Sequence, residues 1–318
     1  MFEENYDAPL GADPIEWMEY SYSSGCLEFW IKENVIDGFI TKEEAIYFAE
    51  SSKFISEKEV EKIISIFEKL QYVDKYVSDM GFEVAAVFLH GSQNYKLDNE
   101  NSDVDTKCIV IPSFNDICSL YKPISQTIVL PSNEHVDIKD IRAMFNCMLN
   151  QGPNYLEILF SKYYKINPKY EDLISGILKN REKIAHYDKA AAVNGLAGMS
   201  FSTRFYKYLN NNPGRYDAKL LCHMARSEEM LNRYIKGESF ENCLISNNLE
   251  YLKNIKSGEL SLQEAINLAE NLKLKSINSK DSFLYNYEVD IDTSVEELFT
   301  EITKKSIARK ILEDLKKE

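Results

Sequence analysis

The sequence predicts an α+β protein in which a small mixed β-sheet with its helices precedes an all-helical region. Residues 83–90 (EVAAVFLH) and about 103–111 are short apolar runs bounded by polar or Gly-containing stretches, as expected of buried strands. The stretch between Ser56 and Gly81 repeats Val60, Ile63, Ile64, Phe67, Leu70, Val73 and Val77 at helical spacing. From about residue 170 onward the chain reads as helix, with long periodic segments at 189–208 and 218–236. The expected organisation is an acidic N-terminal extension (1–55), an α+β domain (56–168) and a helical domain (169–318).

Taken in order, residues 1–40 show no clear period but carry Trp17, Tyr20, Tyr22, Phe29 and Trp30. This is too apolar for disorder, so an irregular or partly helical segment packed on the body is expected. Thr41-Lys-Glu-Glu44 is a capping box for a helix over 42–51, and Ser56-Glu-Lys-Glu59 is another, with Ile55 and Val60 as a hydrophobic staple. Gly81 suits the left-handed stop of that second helix. After the strand at 83–90, a short helix over 92–96 and a strand over 103–111 follow. Ser113 then caps a short helix to about 121. Residues 127–130 and 135–138 are β-rich, Asp140 caps a helix over 141–150, and Gly152-Pro153 ends it. Residues 154–164 read as a further apolar helix. Asn210-Asn-Asn-Pro-Gly214 marks a turn between the two long helical segments, and Ser261…Glu264 and Ser294…Glu297 are two more capping boxes.

Composition narrows the function classes. With 318 residues, 44% hydrophobic and 12% aromatic, the chain can bury a sizeable core. No apolar run approaches the ~20 residues of a membrane span. The N-terminus lacks the basic and apolar regions of a signal peptide. Six scattered cysteines without a CxxC pair point to reduced, mostly buried thiols, and a cytoplasmic location is expected. The net charge of −14 argues against a surface that binds nucleic acid as a whole. Residues 1–55 hold twelve acidic side chains against three basic, a net of −9, leaving −5 on the remainder.

The chemistry concentrates at residues 88–112. An apolar run ends at Gly91-Ser92, a polar loop follows, and Asp103-Val-Asp105 leads into a second apolar run. On a strand, period-2 geometry places Asp103 and Asp105 on one face. Two adjacent carboxylates repel unless a cation lies between them, which suits Mg²⁺ (or Mn²⁺) with its preference for hard oxygen ligands. Gly91 and Ser92 fall where a strand turns into a helix, and free backbone N–H groups there suit phosphate. Metal carboxylates beside a phosphate cradle suggest phosphoryl or nucleotidyl transfer. The plainer alternative is a solvated loop end and a tight turn. A second constellation is Lys219, His223 and Arg226, whose spacings of four and three put them on one helical face. An antiparallel hairpin about the 210–214 turn brings Arg204 near His223 and Lys207 near Lys219. Five donors then converge, fit for a triphosphate or an RNA backbone. The alternative is a solvated basic face paired with Glu228 and Glu229.

Gly91-Ser92…Asp103-Val104-Asp105 resembles the pattern of the DNA polymerase β nucleotidyltransferase superfamily. Within it the chain looks most like the bacterial and phage RNA-repair-pathway polymerase-β-like branch. The supporting stretches are HGSQNYKLDNENSDVD, VDIKDIRAMFNCMLNQGPNYLEILFSKYY and YDAKLLCHMARSEEML, together about residues 82–236. The resemblance implies a nucleotidyltransferase domain at 56–168 and an NTP, ATP included, as nucleotide donor. It implies Asp103 and Asp105 on two Mg²⁺ ions and a third acid on a neighbouring strand. Asp137 is the expected third acid, with His135 and Lys139 sharing its open face; Glu134 and Asp140 compete. Ser92 and Gly91 are expected on the triphosphate, and the Lys219–His223–Arg226 helix matches a basic helix of the family. The implied acceptor is an RNA 3′ end, such as that of a tRNA-like molecule awaiting repair. A protein acceptor, as for an antitoxin-like enzyme, and a non-catalytic nucleotide- or RNA-binding module are the alternatives. His90 is expected as a buried, satisfied histidine and Glu157 as a structural acid paired with Arg142. Lys107, so near the carboxylates, and the acidic extension depart from the family pattern.

Overall fold

A computed structural model describes residues 13–99, 102–118, 122–289 and 291–317. The N-terminal segment is helical: α1 (Pro14–Ser23), α2 (Leu27–Ile31), a π-helical turn (Lys32–Ile36) and α3 (Lys42–Ser51). Asp13 and Glu16 form a capping box at α1, and Thr41 and Glu44 form the expected one at α3. The first lies in a stretch expected to be irregular or partly helical. Next comes α4 (Glu57–Asp79), whose apolar stripe is buried as expected. Its cap differs from expectation, because the Ser56 side chain makes no capping hydrogen bond. Gly81 stands just beyond it at φ +91°, the left-handed stop.

Strand β1 (Glu83–Leu89) leads through a 3₁₀ turn (Ser92–Tyr95) to β2 (Thr106–Ile111). Then follow α5 (Phe114–Cys118), β3 (Ser125–Val129), β4 (His135–Asp140), α6 (Ile141–Leu149), α7 (Pro153–Leu156), a 3₁₀ turn (Glu157–Phe160) and β5 (Tyr164–Ile166). The sheet order is β3-β4-β2-β1-β5, with β2 and β4 parallel and the other pairs antiparallel. The apolar run at 154–164 is therefore not one helix. It is a helical turn, a 3₁₀ turn and the approach to an edge strand. The expected end of α5 at residue 121 lies outside the described residues.

Beyond β5, the described residues of the chain form helices: α8 (Glu171–Lys179), α9 (Arg181–Ala185), α10 (Lys189–Ser200), α11 (Thr203–Asn211), α12 (Ala218–Ile235), α13 (Phe240–Leu244), α14 (Leu249–Ser257), α15 (Leu262–Asn286) and α16 (Ser294–Lys317). The periodic stretch 189–208 is broken at Phe201-Ser202 into α10 and α11. The Ser261–Glu264 capping box is present, whereas Ser294 is already helical, with Asp292 accepting from its N–H.

Both faces of the sheet are covered. Val84, Val87, Cys108, Val110, Val136 and Ile138 pack under α4 and the N-terminal helices, together with Met18, Leu27, Trp30 and Ile31. Ala85, Ala86, Phe88, Ile109 and Ile111 pack against α6, α8, α10, α12 and α16. A bulge between Val84 and Ala86 turns the consecutive alanines toward the same core. A third cluster joins Tyr95 and Leu97 of the polar loop to α11, α12, α14 and α15. No helix among the described residues is long and apolar enough to cross a membrane. Four of the six cysteines are buried; Cys118 is exposed and Cys147 half-buried.

Candidate active site

Strands β1 and β2 bring the two halves of the 88–112 motif to one end of the sheet. Leu89 lies opposite Thr106, and the His90 N–H donates to the Asp105 carbonyl at 2.8 Å. The chain then turns at Gly91 (φ 103°, ψ −158°), a conformation that only glycine adopts readily. The expected helix over 92–96 is the tighter 3₁₀ turn. Asn94 Nδ2 donates to the Leu89 carbonyl (2.9 Å), and Gln93 Nε2 donates to the Asp103 carbonyl (3.3 Å), tying the turn to the acidic loop. Asp103 is exposed and Asp105 half-buried, and Ser92 is half-buried beside them. Because β2 begins at Thr106, both carboxylates sit in its irregular lead-in rather than in the strand itself. Asp105 is fixed by accepting from the His135 N–H at 3.0 Å.

Asp137 occupies the neighbouring strand β4, opposite Lys107 in the parallel register. As expected, Val136 and Ile138 face the core. The face with Asp137 is not open, however. Lys107 Nζ lies 3.2 Å from one carboxylate oxygen and Lys139 Nζ 3.4 Å from the other. The Tyr155 ring lies under both lysines, its centroid 4.4 and 5.4 Å from the two ammonium groups. Among the described residues no three His, Cys, Asp or Glu side chains are grouped to hold a metal ion. The structure therefore does not gather Asp103, Asp105 and Asp137 into one ligand set. The physical reason is that two lysines already neutralise Asp137. The competitors are also engaged, Glu134 with Lys69 (2.7 Å) and fully buried Asp140 as the cap of α6. Asp103 and Asp105, on the loop beside the turn, are the carboxylates that would hold Mg²⁺, which is commonly bound by one or two carboxylates with waters and substrate phosphates completing its shell.

The basic helix α12 divides by burial. Lys219 is exposed, as are Arg204 and Lys207 on α11, whereas His223 is half-buried and Arg226 is 4% exposed. Burial, reinforced by the positive charges of Arg226, Lys219, Lys256 and Arg204, holds the His223 imidazole down to about 4. Arg204 from α11 and Lys219, one turn away on α12 itself, both bear on His223, and Lys207 lies one turn further along α11. The Arg226 guanidinium stacks 3.7 Å from the Tyr95 ring centroid, and its Nε and Nη1 have no hydrogen-bond partner among the described residues.

Glu157 was the least expected participant. Its Oε1 accepts from the Gly91 N–H (3.2 Å) and lies 3.5 Å from His90 Nε2, while Oε2 is 3.9 Å from Arg226 Nη2. Burial pushes its carboxyl up to about 7 against the opposing pull of Arg226, the Gly91 N–H and Lys107. Burial likewise drives the half-buried His90 down to about 3, helped by Lys107, Arg226 and His223, so the imidazole is neutral at pH 7. The expected partner of Glu157, Arg142, pairs instead with Asp140 at 2.6 Å. One signal pointed to Glu157: a lone acid inside the run Tyr-Leu-Glu-Ile-Leu-Phe is unusual unless it is paired.

Residues 68–227 match the model of a family described as the RNA repair pathway DNA polymerase beta family. The matched segment starts within α4 and ends at Ser227 on α12, so it contains the Gly91–Ser92 turn, Asp103, Asp105, Asp137, Glu157 and Arg226. No curated protein matches the chain.

Proposed function

The chain belongs to the RNA repair pathway DNA polymerase beta family, and from that premise we propose that it is a Mg²⁺-dependent nucleotidyltransferase that moves an NMP from an NTP to an RNA 3′ hydroxyl. The observation that carries this reading is the junction of β1 and β2. The Gly91–Ser92 turn and the Asp103/Asp105 loop emerge side by side, linked by the His90–Asp105 and Gln93–Asp103 hydrogen bonds.

In this reading the Ser92 hydroxyl and the N–H groups of the turn beyond Gly91, whose own N–H is taken up by Glu157, receive the triphosphate. Asp103 and Asp105 hold Mg²⁺, which when bound neutralises phosphate charge and favours deprotonation of the attacking hydroxyl. Exposed Arg204, Lys207 and Lys219 face the triphosphate or the acceptor backbone as charge-assisted donors. His223 stays neutral at pH 7 and serves as a hydrogen-bonding group rather than a cation. Asp137 is the proposed third acid on the neighbouring strand, held in this structure between Lys107 and Lys139. The acceptor oxygen attacks the α-phosphorus, the bond to the β-phosphate oxygen breaks, and pyrophosphate leaves. Positioning and charge neutralisation account for most of the acceleration.

The test is transfer of label from each of the four NTPs, labelled at the α-phosphate, onto total cellular RNA and protein with Mg²⁺. The Asp103→Ala/Asp105→Ala protein is the control. Label on RNA that vanishes in the double variant is expected. Label on protein would transfer the reading to an antitoxin-like nucleotidylation, for which the net charge of −14 gives a physical motive. No label from folded protein with any nucleotide would overturn the enzymatic reading in favour of a binding module.

A further inference from the structure

We propose that Glu157 is the positioning residue of this site, clamping the Gly91–Ser92 turn to helix α12 so that the turn meets phosphate in a fixed geometry. The inference rests on the reading of that turn as a phosphate cradle.

Glu157 is 1% exposed and flanked by buried Leu156, Ile158, Leu159 and Phe160. A carboxyl group at such a depth is retained only with polar partners. Its partners come from outside its own element: the Gly91 amide, the His90 ring at the end of β1, and Arg226 on α12. Arg226 in turn covers the Tyr95 ring, which belongs to the same turn as Ser92. The turn is therefore gripped twice, at its first amide by Glu157 and at its last ring by Arg226. The 3.9 Å approach of Glu157 to Arg226 closes the circuit.

The turn needs such a grip. Gly91 adopts φ +103°, a conformation that glycine enters and leaves more freely than any other residue. A glycine free to rotate sacrifices the alignment of the N–H groups that follow it. Asn94, Gln93 and buried Tyr95 tie down the rest of the turn, and the hydrogen bond to the buried carboxylate restrains the Gly91 amide itself. Preorganised donors of this kind bind phosphate without a reorganisation cost.

The test uses the full chain with two variants, Glu157→Gln and Glu157→Leu/Arg226→Met. The double variant leaves neither charge buried alone, which protects folding. Two readouts are taken: deuterium uptake of the peptide spanning Gly91–Tyr95, and titration with inorganic tripolyphosphate in the presence of Mg²⁺. Uptake at Gly91–Tyr95 should rise about tenfold in the double variant and less in Glu157→Gln, which keeps a neutral acceptor, while β2 and α6 stay protected. Tripolyphosphate should bind about tenfold more weakly to the double variant. Parent-like uptake at the turn in either folded variant, or uptake raised evenly across the chain, would overturn the proposal, because a merely structural acid loosens no particular segment. Absence of tripolyphosphate binding to the parent protein would instead sink the phosphate reading, while the exchange comparison still decides whether Glu157 holds the turn.

Discussion

Arg226 and Lys219 lie two turns apart on α12, yet their surroundings give them different tasks. Lys219 and Arg204 face solvent, and each can be truncated without leaving a buried group unpaired. The double variant Lys219→Ala/Arg204→Ala should raise KM for the NTP by about tenfold with little change in melting temperature. Steady-state kinetics beside thermal melts would check it, and an unchanged KM would remove these residues from the nucleotide site. Truncating Arg226 strands Glu157 in the core. Arg226→Ala should therefore destabilise by about 3–5 kcal/mol in urea denaturation. His223 adds a pH signature. Its folded value near 4 lies below the unfolded value near 6.5, so the unfolded chain binds the proton first as pH falls. Its contribution is complete above pH 6.5 and is lost as pH falls from 6.5 toward 4. Between pH 7 and pH 5, wild type should lose about 2 kcal/mol more stability than His223→Gln. Equal losses in the two proteins would mean that the imidazole is not held neutral.

Elements were legible where their signals are local. The Thr41 and Ser261 capping boxes, the stripe of α4 and the Asp140 cap of α6 each lie within a few residues, and each forms. The Asp103/Asp105 and Gly91–Ser92 pieces were legible for the same reason, being one contiguous stretch. Strand β5 was not, because three residues carry no period and an apolar run of that length reads equally as buried helix. Glu157 was not legible as a partner of Gly91 either: the two are 66 residues apart, and only folding shows that they meet. The glycines of α10 left a choice open in the sequence, between tight helix packing and close approach to a substrate. A Cβ on Gly195 would stand 3.3 Å from Pro153 and 3.4 Å from the Gln151 carbonyl, so that glycine permits α10 to press on the α6–α7 connection. Gly198 is exposed, and a Cβ there meets nothing within 4 Å. Gly198→Ala should therefore stabilise by about 0.5–1 kcal/mol, through helix propensity and a less flexible unfolded chain. Gly195→Ala should forfeit most of that gain or destabilise. Urea midpoints of the two single variants decide, and equal gains would show that α10 does not lean on Pro153.

At the scale of the molecule, the acidic N-terminal segment raises a choice between a lid over the active site and a part of the core. Several of its acids are engaged by the fold: Glu16 and Glu44 in capping boxes, Glu19 with Ser52, and Glu28 with Lys162. Its apolar side chains bury against the α4 side of the sheet, where Met18, Leu27, Trp30 and Ile31 are each at most 3% exposed. At about 1.5–3 kcal/mol for each large side chain, these four contribute on the order of 6–12 kcal/mol of burial. That is comparable with the whole net stability of an ordinary domain, about 5–15 kcal/mol. Deleting residues 1–55 would also bare Val60, Ile63, Ile64 and Phe67 on α4, a contiguous apolar surface prone to association. The truncated chain should thus lose its cooperative unfolding transition and aggregate, and nucleotide transfer should fall with the folded fraction. An autoinhibitory lid predicts the opposite, a truncated protein that still unfolds cooperatively and turns over faster. Calorimetry of the truncated chain, with transfer measured per folded molecule, separates these outcomes, and faster turnover from a stable fold would show that the segment guards the site rather than completes the core.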